Sequence, residues 1–241
     1  MIKEGMKVLV FSAHAADFCS RAGGAIIKIV EAGGSVDIYD LSYGERCESP
    51  ALWVRDPKPT IDEVKAIRKQ EMEEAAEILG ATINCYDFGD SPLVVSPERQ
   101  LQMLDTIREI KPELVLSHWV NDVMHPDHVE TTRAALWACS YCNAGGIETA
   151  HEPVGRPRLI CYETTMGTSP ISGFVPDLYV DITDVFARKI EALKKLAAQP
   201  PLPEVYEILN RYRAMEAQHM AGMSDCRYAE GFARIGKEPV A

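Results

Sequence analysis
Short apolar runs alternate with amphipathic stretches along most of this chain, and that alternation predicts strands separated by helices. Lys7-Val8-Leu9-Val10-Phe11-Ser12 is a run of the kind that a parallel sheet buries on both faces. A helix rich in Gly, Ala and Ile is expected after it, over about 21–32, and 35–41 repeats the strand pattern. Residues 42–59 are polar and rich in turn formers, a length of loop that usually carries function. Thr60-Ile61-Asp62-Glu63 then forms a capping box, and Val64, Ile67, Met72, Ala75 and Leu79 recur on one helical face until Gly80.

The second half continues in the same way. A strand is expected at 83–88, and Ser96-Pro97 opens a helix that runs to Ile110 and stops before Pro112. Further strands are expected at 114–117, 158–162 and 178–181, with a helix at about 129–142 behind the fourth. Thr183 is read as the cap of a helix in which Phe186, Ile190, Leu193 and Ala197 share a face. Pro200, Pro201 and Pro203 break that helix before a last one at about 204–219. The pattern gives an α/β fold: one domain over 1–241, a doubly wound and mostly parallel sheet, with 200–241 as a C-terminal helical extension. In such sheets ligands bind beyond the carboxyl ends of the strands.

Two histidine motifs fall at such ends. His14-Ala15-Ala16-Asp17 closes the first strand, and His125-Pro126-Asp127-His128 follows the fourth. Either tetrapeptide alone arises by chance; together, at two inner strands of one sheet, they describe a metal site. A catalytic zinc takes about three protein ligands from His, Asp and Glu and leaves a position open, and His14, Asp17 and His128 fit that need. A His2Asp set suits Fe2+ or Co2+ as well. His118, at the exit of the fourth strand, is either a support for these ligands or a packed core residue. His151 and His219 read as surface. Cys139-Ser140-Tyr141-Cys142 has the spacing of half a zinc site but no second pair. Gly23-Gly24 lacks the spacing of a dinucleotide fingerprint and reads as close packing of helix on strand.

Composition narrows the partners. The 241 residues carry a formal net charge of -11, with a pI near 5.1, which disfavours nucleic acid. No apolar run approaches the roughly 18 residues of a membrane helix, so no membrane partner is expected. Seven scattered cysteines, and Met1-Ile2-Lys3-Glu4-Gly5 leading straight into a strand, suggest a reduced, cytoplasmic setting.

These motifs resemble the PIG-L (LmbE-like) family of zinc-dependent N-acetylglucosamine deacetylases. The family's opening His-Pro-Asp-Asp-Glu aligns with His14-Ala15-Ala16-Asp17-Phe18, and its later His-Pro-Asp-His matches 125–128 without change. Arg68 and Glu71, Phe88-Gly89-Asp90, Asp181-Ile182-Thr183 and Lys189 extend the likeness. The resemblance implies that His14, Asp17 and His128 bind the metal and that His125 stabilises a developing oxyanion. Assembly into homo-oligomers is also implied.

The departures change the chemistry. The family's middle Asp, its general base, is Ala16 here, its Pro is Ala15 and its Glu is Phe18. A methyl group accepts no proton, so deacetylation by the family's route should drop by about two to four orders of magnitude. A metal site without the amidase base resembles the branch of the family that hydrates 4-oxalomesaconate in gallate and protocatechuate breakdown. Hydration needs a polarising cation, a base for water and a proton donor, but no protonated amine leaving group. Glu48, on the loop after the second strand, is the expected base, with Glu45, Asp127 and Glu163 behind it. His125 is the expected proton donor, with Glu163 as the alternative.

A small anionic carboxylate substrate needs cations around it in so acidic a chain. Arg68 is the first candidate through the resemblance, Arg46 the next, with Arg21 and Arg158 after them. Two other readings stay open: an amide hydrolase that recruits Glu48 as base, and a metal-binding module without catalysis.

Overall fold
β1 (Lys7–Ser12) is buried from Val8 onward because its alternate side chains enter two separate cores. Val8 and Val10 pack beneath α1 (Asp17–Glu31), α3 (Ile61–Leu79) and α7 (Phe186–Lys195), whereas Leu9 and Phe11 pack against α4 (Pro97–Ile110) and α5 (Pro126–Tyr141). A strand covered on both faces has to be apolar at every position, which explains the unbroken run. The structure is a computed structural model and describes residues 2–165 and 168–235.

The remaining strands are β2 (Ser35–Asp40), β3 (Thr82–Cys85), β4 (Leu114–Ser117), β5 (Arg158–Tyr162), β6 (Leu178–Asp181) and β7 (Ala229–Arg234). They lie in the order β3-β2-β1-β4-β5-β7-β6. The first five in that order are mutually parallel, and β7 is antiparallel to both its neighbours. Val10 pairs with Ile38 on one side and Leu116 on the other. After β3 the chain returns across the sheet to β4, so the connections behind β1 and β4 leave on opposite faces and open a crevice between them. The single-domain, doubly wound α/β expectation holds.

Local chemistry explains most boundaries. The Thr60 capping box is formed, with Glu63 returning to the Thr60 N–H at 2.7 Å, and Gly80 closes α3 at φ 80°. α1 and α5 begin earlier than the periodicity suggested, at Asp17 and Pro126, because a carboxylate and a proline each suit a first helical turn. β3 ends at Cys85, short of the expected 88. The 42–59 loop holds a short α2 (Pro50–Trp53), and a second short helix, α6 (Ser169–Ser172), precedes β6. Thr183 does not cap α7, which starts at Phe186; its Oγ1 instead accepts the N–H groups of Arg227 and Tyr228.

Over 200–235 the C-terminal segment is not simply a helical extension, and 236–241 lie outside the described residues. α8 (Leu202–Ala221) leads into β7, which enters the sheet between β5 and β6. The strand was hidden by Glu230, a charge at a buried position. Its carboxylate is matched by Lys189 Nζ at 2.7 Å and by the N–H groups of Gly24 and Ala25 at 2.8 Å each, so the buried charge is paired. Gly24 also admits the close packing of Ile182 against α1: a Cβ there would lie 2.5 Å from Ile182 Cγ2. Gly24→Ala should cost about 1–3 kcal/mol in urea unfolding. Gly145→Ala, whose Cβ would meet nothing within 4 Å, should stay within about 0.5 kcal/mol of the parent. Equal losses for the two would contradict the tight contact.

Candidate active site
The exits of β1 and β4 bring the two histidine motifs together. Asp17 opens α1, and its Oδ2 accepts the His14 N–H at 2.9 Å, which folds the turn back so that His14 Nδ1 stands 3.3 Å from the same oxygen. Pro126 starts α5 immediately behind His125, and this sets His128 in the first turn with Nε2 3.5 Å from Asp17 Oδ1. All three side chains are buried.

Each imidazole is oriented by a carboxylate on its far side. His14 Nε2 is 3.2 Å from Asp127 Oδ2, and Asp127 also accepts the N–H groups of Ser91 and Leu93 at 2.9 Å each. Burial would raise the Asp127 pKa, but the hydrogen bonds from His14, Leu93 and Ser91 outweigh it and hold the carboxyl near pKa 2. His128 Nδ1 is 3.0 Å from Asp122 Oδ2, which in turn accepts the Thr165 N–H at 2.7 Å. With those ring nitrogens carrying the protons, His14 Nδ1 and His128 Nε2 present lone pairs, and neither has a hydrogen-bond partner among the described residues. Two unpartnered buried nitrogens flanking a carboxylate suit a cation, and the imidazole–carboxylate pairing behind them is the usual support of metal-bound histidines. By mutual distance the donors form three overlapping groups among the described residues, His14 with Glu48, His125 and His128, Asp17 with His118 and His128, and His14 with Cys47 and Asp127, so that His14, Asp17 and His128 span the first two.

The electrostatics favour positive charge at His14, where a metal ion would take the place of a proton on Nδ1. For His14, burial penalises the imidazolium, yet Glu48, Asp127 and Asp17 outweigh that and raise its pKa well above the usual value. Burial lowers the pKa of His128 well below its usual value, with the neighbouring His118 adding to the effect, and pushes His118 down to about 4. Burial also opposes ionisation of Asp17, but His128, Arg21 and His118 hold its pKa far below the carboxylate range. His118 packs as a support: its Nε2 accepts the Ala13 N–H at 3.0 Å and its ring stacks on His128 at 3.9 Å.

Glu48 reaches this centre from the loop after β2. Gly44, at φ 67°, permits the approach, since a Cβ there would lie 3.0 Å from Glu48 Cβ and 3.2 Å from His14 Cβ. Glu48 Oε1 stands 2.8 Å from His125 Nε2 and 3.6 Å from His14 Nδ1. Its Oε2 accepts from Gln199 Nε2 at 3.1 Å. Burial would raise the Glu48 pKa, but the facing His14 and the hydrogen bond from His125 leave it lowered. A small cleft opens over this pair, walled by Ala16, Arg21, Gln199 and Tyr206.

The arginines are placed differently from the sequence expectation. Arg68 is fully buried behind the cleft, its guanidinium given to Tyr43 O, Glu71 and Gln199 Oε1, so it touches Glu48 only through the Gln199 amide. Arg46 is exposed and turned to the Asp90 backbone carbonyl at 2.5 Å. Neither lines the cleft, whereas Arg21 does. Of the reserve carboxylates, Glu163 is bound by Arg213 and Ser169, Asp127 is committed to His14, and Glu45 is buried outside the cleft wall. Asp122 and Gln199 were not anticipated. Asp122 precedes the second motif by three residues, while Gln199 arrives from a distant proline-rich turn with no sequence signal.

Comparison with known proteins agrees with this geometry. Residues 9–139 match the family model of PIG-L, described as GlcNAc-PI de-N-acetylase. The chain belongs to the PIG-L family. Within it, the chain is 36% identical over 230 residues to a 4-oxalmesaconate hydratase of Pseudomonas putida, spanning 94% of this chain and 88% of that protein. It is 29% identical to a diacetylchitobiose deacetylase of Thermococcus kodakarensis, over 93% of this chain and 81% of the relative. The crystal structure of the 4-carboxy-2-hydroxymuconate hydratase of Pseudomonas putida superposes with a TM-score of 0.92 at 33% identity, covering 98% of each chain. The PIG-L motifs thus sit on a PIG-L fold.

If Asp122 fixes the His128 tautomer, Asp122→Asn should weaken metal affinity about 10–100-fold in a chelator competition. His128→Ala should lose the metal altogether. An Asp122→Asn protein with parental affinity, or a His128→Ala protein with a full metal equivalent, would contradict this assignment.

Proposed function
We propose that the protein is a metal-dependent hydratase that adds water across a carbon–carbon double bond of a small unsaturated tricarboxylate, 4-oxalomesaconate, in the breakdown of gallate and protocatechuate. One observation carries the reading: the amidase base is Ala16, while a Glu48–His125 pair at 2.8 Å faces the same centre. The similarity to a hydratase over most of the chain supports it.

In this reading His14, Asp17 and His128 hold the metal, zinc by the family's habit, and Glu48 and His125 handle protons. The bound ion would polarise the substrate's oxygens and acidify water. Glu48 takes a proton from the attacking water while its hydroxyl joins one carbon of the double bond. His125 gives a proton to the neighbouring carbon. Glu48 then passes the proton it took to His125 across their shared contact, so the cycle closes with one water consumed and no net proton released. Gln199 acts on this step by position, fixing Oε2 of Glu48 so that Oε1 faces His125.

No helix of the described residues is long and apolar enough to cross a membrane, and all seven cysteines are free. Free thiols support a reducing, cytoplasmic setting.

The test offers purified, metal-loaded protein 4-oxalomesaconate and, separately, N-acetyl amino sugars, following loss of the conjugated chromophore and release of amine. Hydration without amine release is expected. Amine release without hydration would make the chain a deacetylase with a substitute base. Glu48→Gln keeps volume but removes the basic lone pair, so hydration should fall at least about a hundredfold with metal content unchanged. Unchanged turnover would remove Glu48 from the mechanism.

A further inference from the structure
Arg21 has a use that its partners in the fold do not exhaust. It sits one turn into α1 with a side chain only 7% exposed, and no other arginine or lysine is among the described residues lining the cleft. Its Nη1 donates to Asp17 Oδ1 at 2.5 Å and to Ser20 Oγ at 3.2 Å. The other edge of the guanidinium is the Nε–Nη2 fork, whose two parallel N–H groups match the two oxygens of a carboxylate. Nε is buried and has no hydrogen-bond partner among the described residues. A buried charged donor left unsatisfied is costly unless a ligand brings the acceptor.

We propose that Arg21 anchors the substrate, taking one of its carboxylates on the Nε–Nη2 edge, where Nε lacks a partner, while Nη1 stays on Asp17. The proposal rests on the hydratase reading and specifies how that site selects its acid. Ala16 belongs to the same arrangement. It lines the cleft beside Arg21, and a carboxylate at 16 would compete for that edge and repel an incoming anion. The cleft wall already carries the anions Asp17 and Glu48, so a polyanionic substrate meets one fixed cation there. Arg21 therefore selects an acid carrying a carboxylate beyond the reacting group and rejects a neutral sugar amide. Such selection is sharp because the analogue lacking the carboxylate leaves a buried fork unpaired.

The test measures binding calorimetrically, with no turnover involved, on metal-loaded parent, Arg21→Gln and Arg21→Lys. The probes are propane-1,2,3-tricarboxylate and glutarate, which lacks the central carboxylate, and metal content is measured on every sample. The parent should bind the tricarboxylate at least tenfold more tightly than glutarate. Arg21→Gln should erase that preference and lose at least tenfold in tricarboxylate affinity with its metal retained. Parental affinity in Arg21→Gln, or a parent that does not prefer the tricarboxylate, would overturn the proposal.

Should Arg21→Gln shed its metal, Arg21→Lys decides, because it keeps a cation against Asp17 but has no fork. A tenfold loss there supports the anchor, and parental binding overturns it. A parent that binds through Arg21 yet hydrates no unsaturated acid would contradict the proposed function and leave the anchor standing. A parent that hydrates 4-oxalomesaconate while Arg21→Gln binds as well as the parent would contradict the anchor alone.

Discussion
The site is organised by one shared carboxylate. Asp17 accepts the His14 N–H, pairs with Arg21, and stands within 3.5 Å of ring nitrogens of His14, His118 and His128. A buried carboxylate survives only when paired, and this one is paired to the loop of its own turn and to a permanent cation, while the imidazoles it faces leave room for a metal ion between them. Its place at the start of α1 adds the favourable end of the helix dipole. The other site residues are held relative to it: Asp127 and Asp122 turn the imidazoles, Gly44 admits Glu48, and Gln199 aims Glu48 at His125.

Much of this was legible from residue order, and the reasons differ by element. β1 and the Thr60 capping box were readable because their signals are local, an apolar run and a hydroxyl-carboxylate pair three residues apart. β7 was not, because Glu230 reads as a surface charge until Lys189 and two backbone N–H groups from α1 are brought against it. The arginines show the same limit. Arg68 sits in a motif, but its guanidinium is spent on Tyr43, Glu71 and Gln199, and only tertiary packing reveals that Arg21 keeps an unpartnered Nε. A motif reports which residue type is present; which of its hydrogen bonds are already made depends on the fold.

In the proposed reading the change of reaction inside the shared fold has a local cause. Replacing a carboxylate by the Ala16 methyl removes the amidase base and also a negative charge from the cleft wall where a polyanion must enter. In the proposed reading, Glu48, brought in by the loop after β2 on the side of His125, takes over proton handling without disturbing His14, Asp17 or His128. That reading separates metal binding from proton transfer, whereas the deacetylases' opening pentapeptide combines the base with two of the three metal ligands.

The most direct measurement restores that carboxylate. Metal-loaded Ala16→Asp protein should lose hydration of 4-oxalomesaconate by about two or more orders of magnitude, because the new anion repels the substrate and competes with Glu48 for the same proton. It should keep its metal and release acetate from N-acetyl sugars no faster than the parent. Brisk acetate release by Ala16→Asp, with no hydration of any unsaturated acid by the parent, would show a disabled deacetylase and contradict the account.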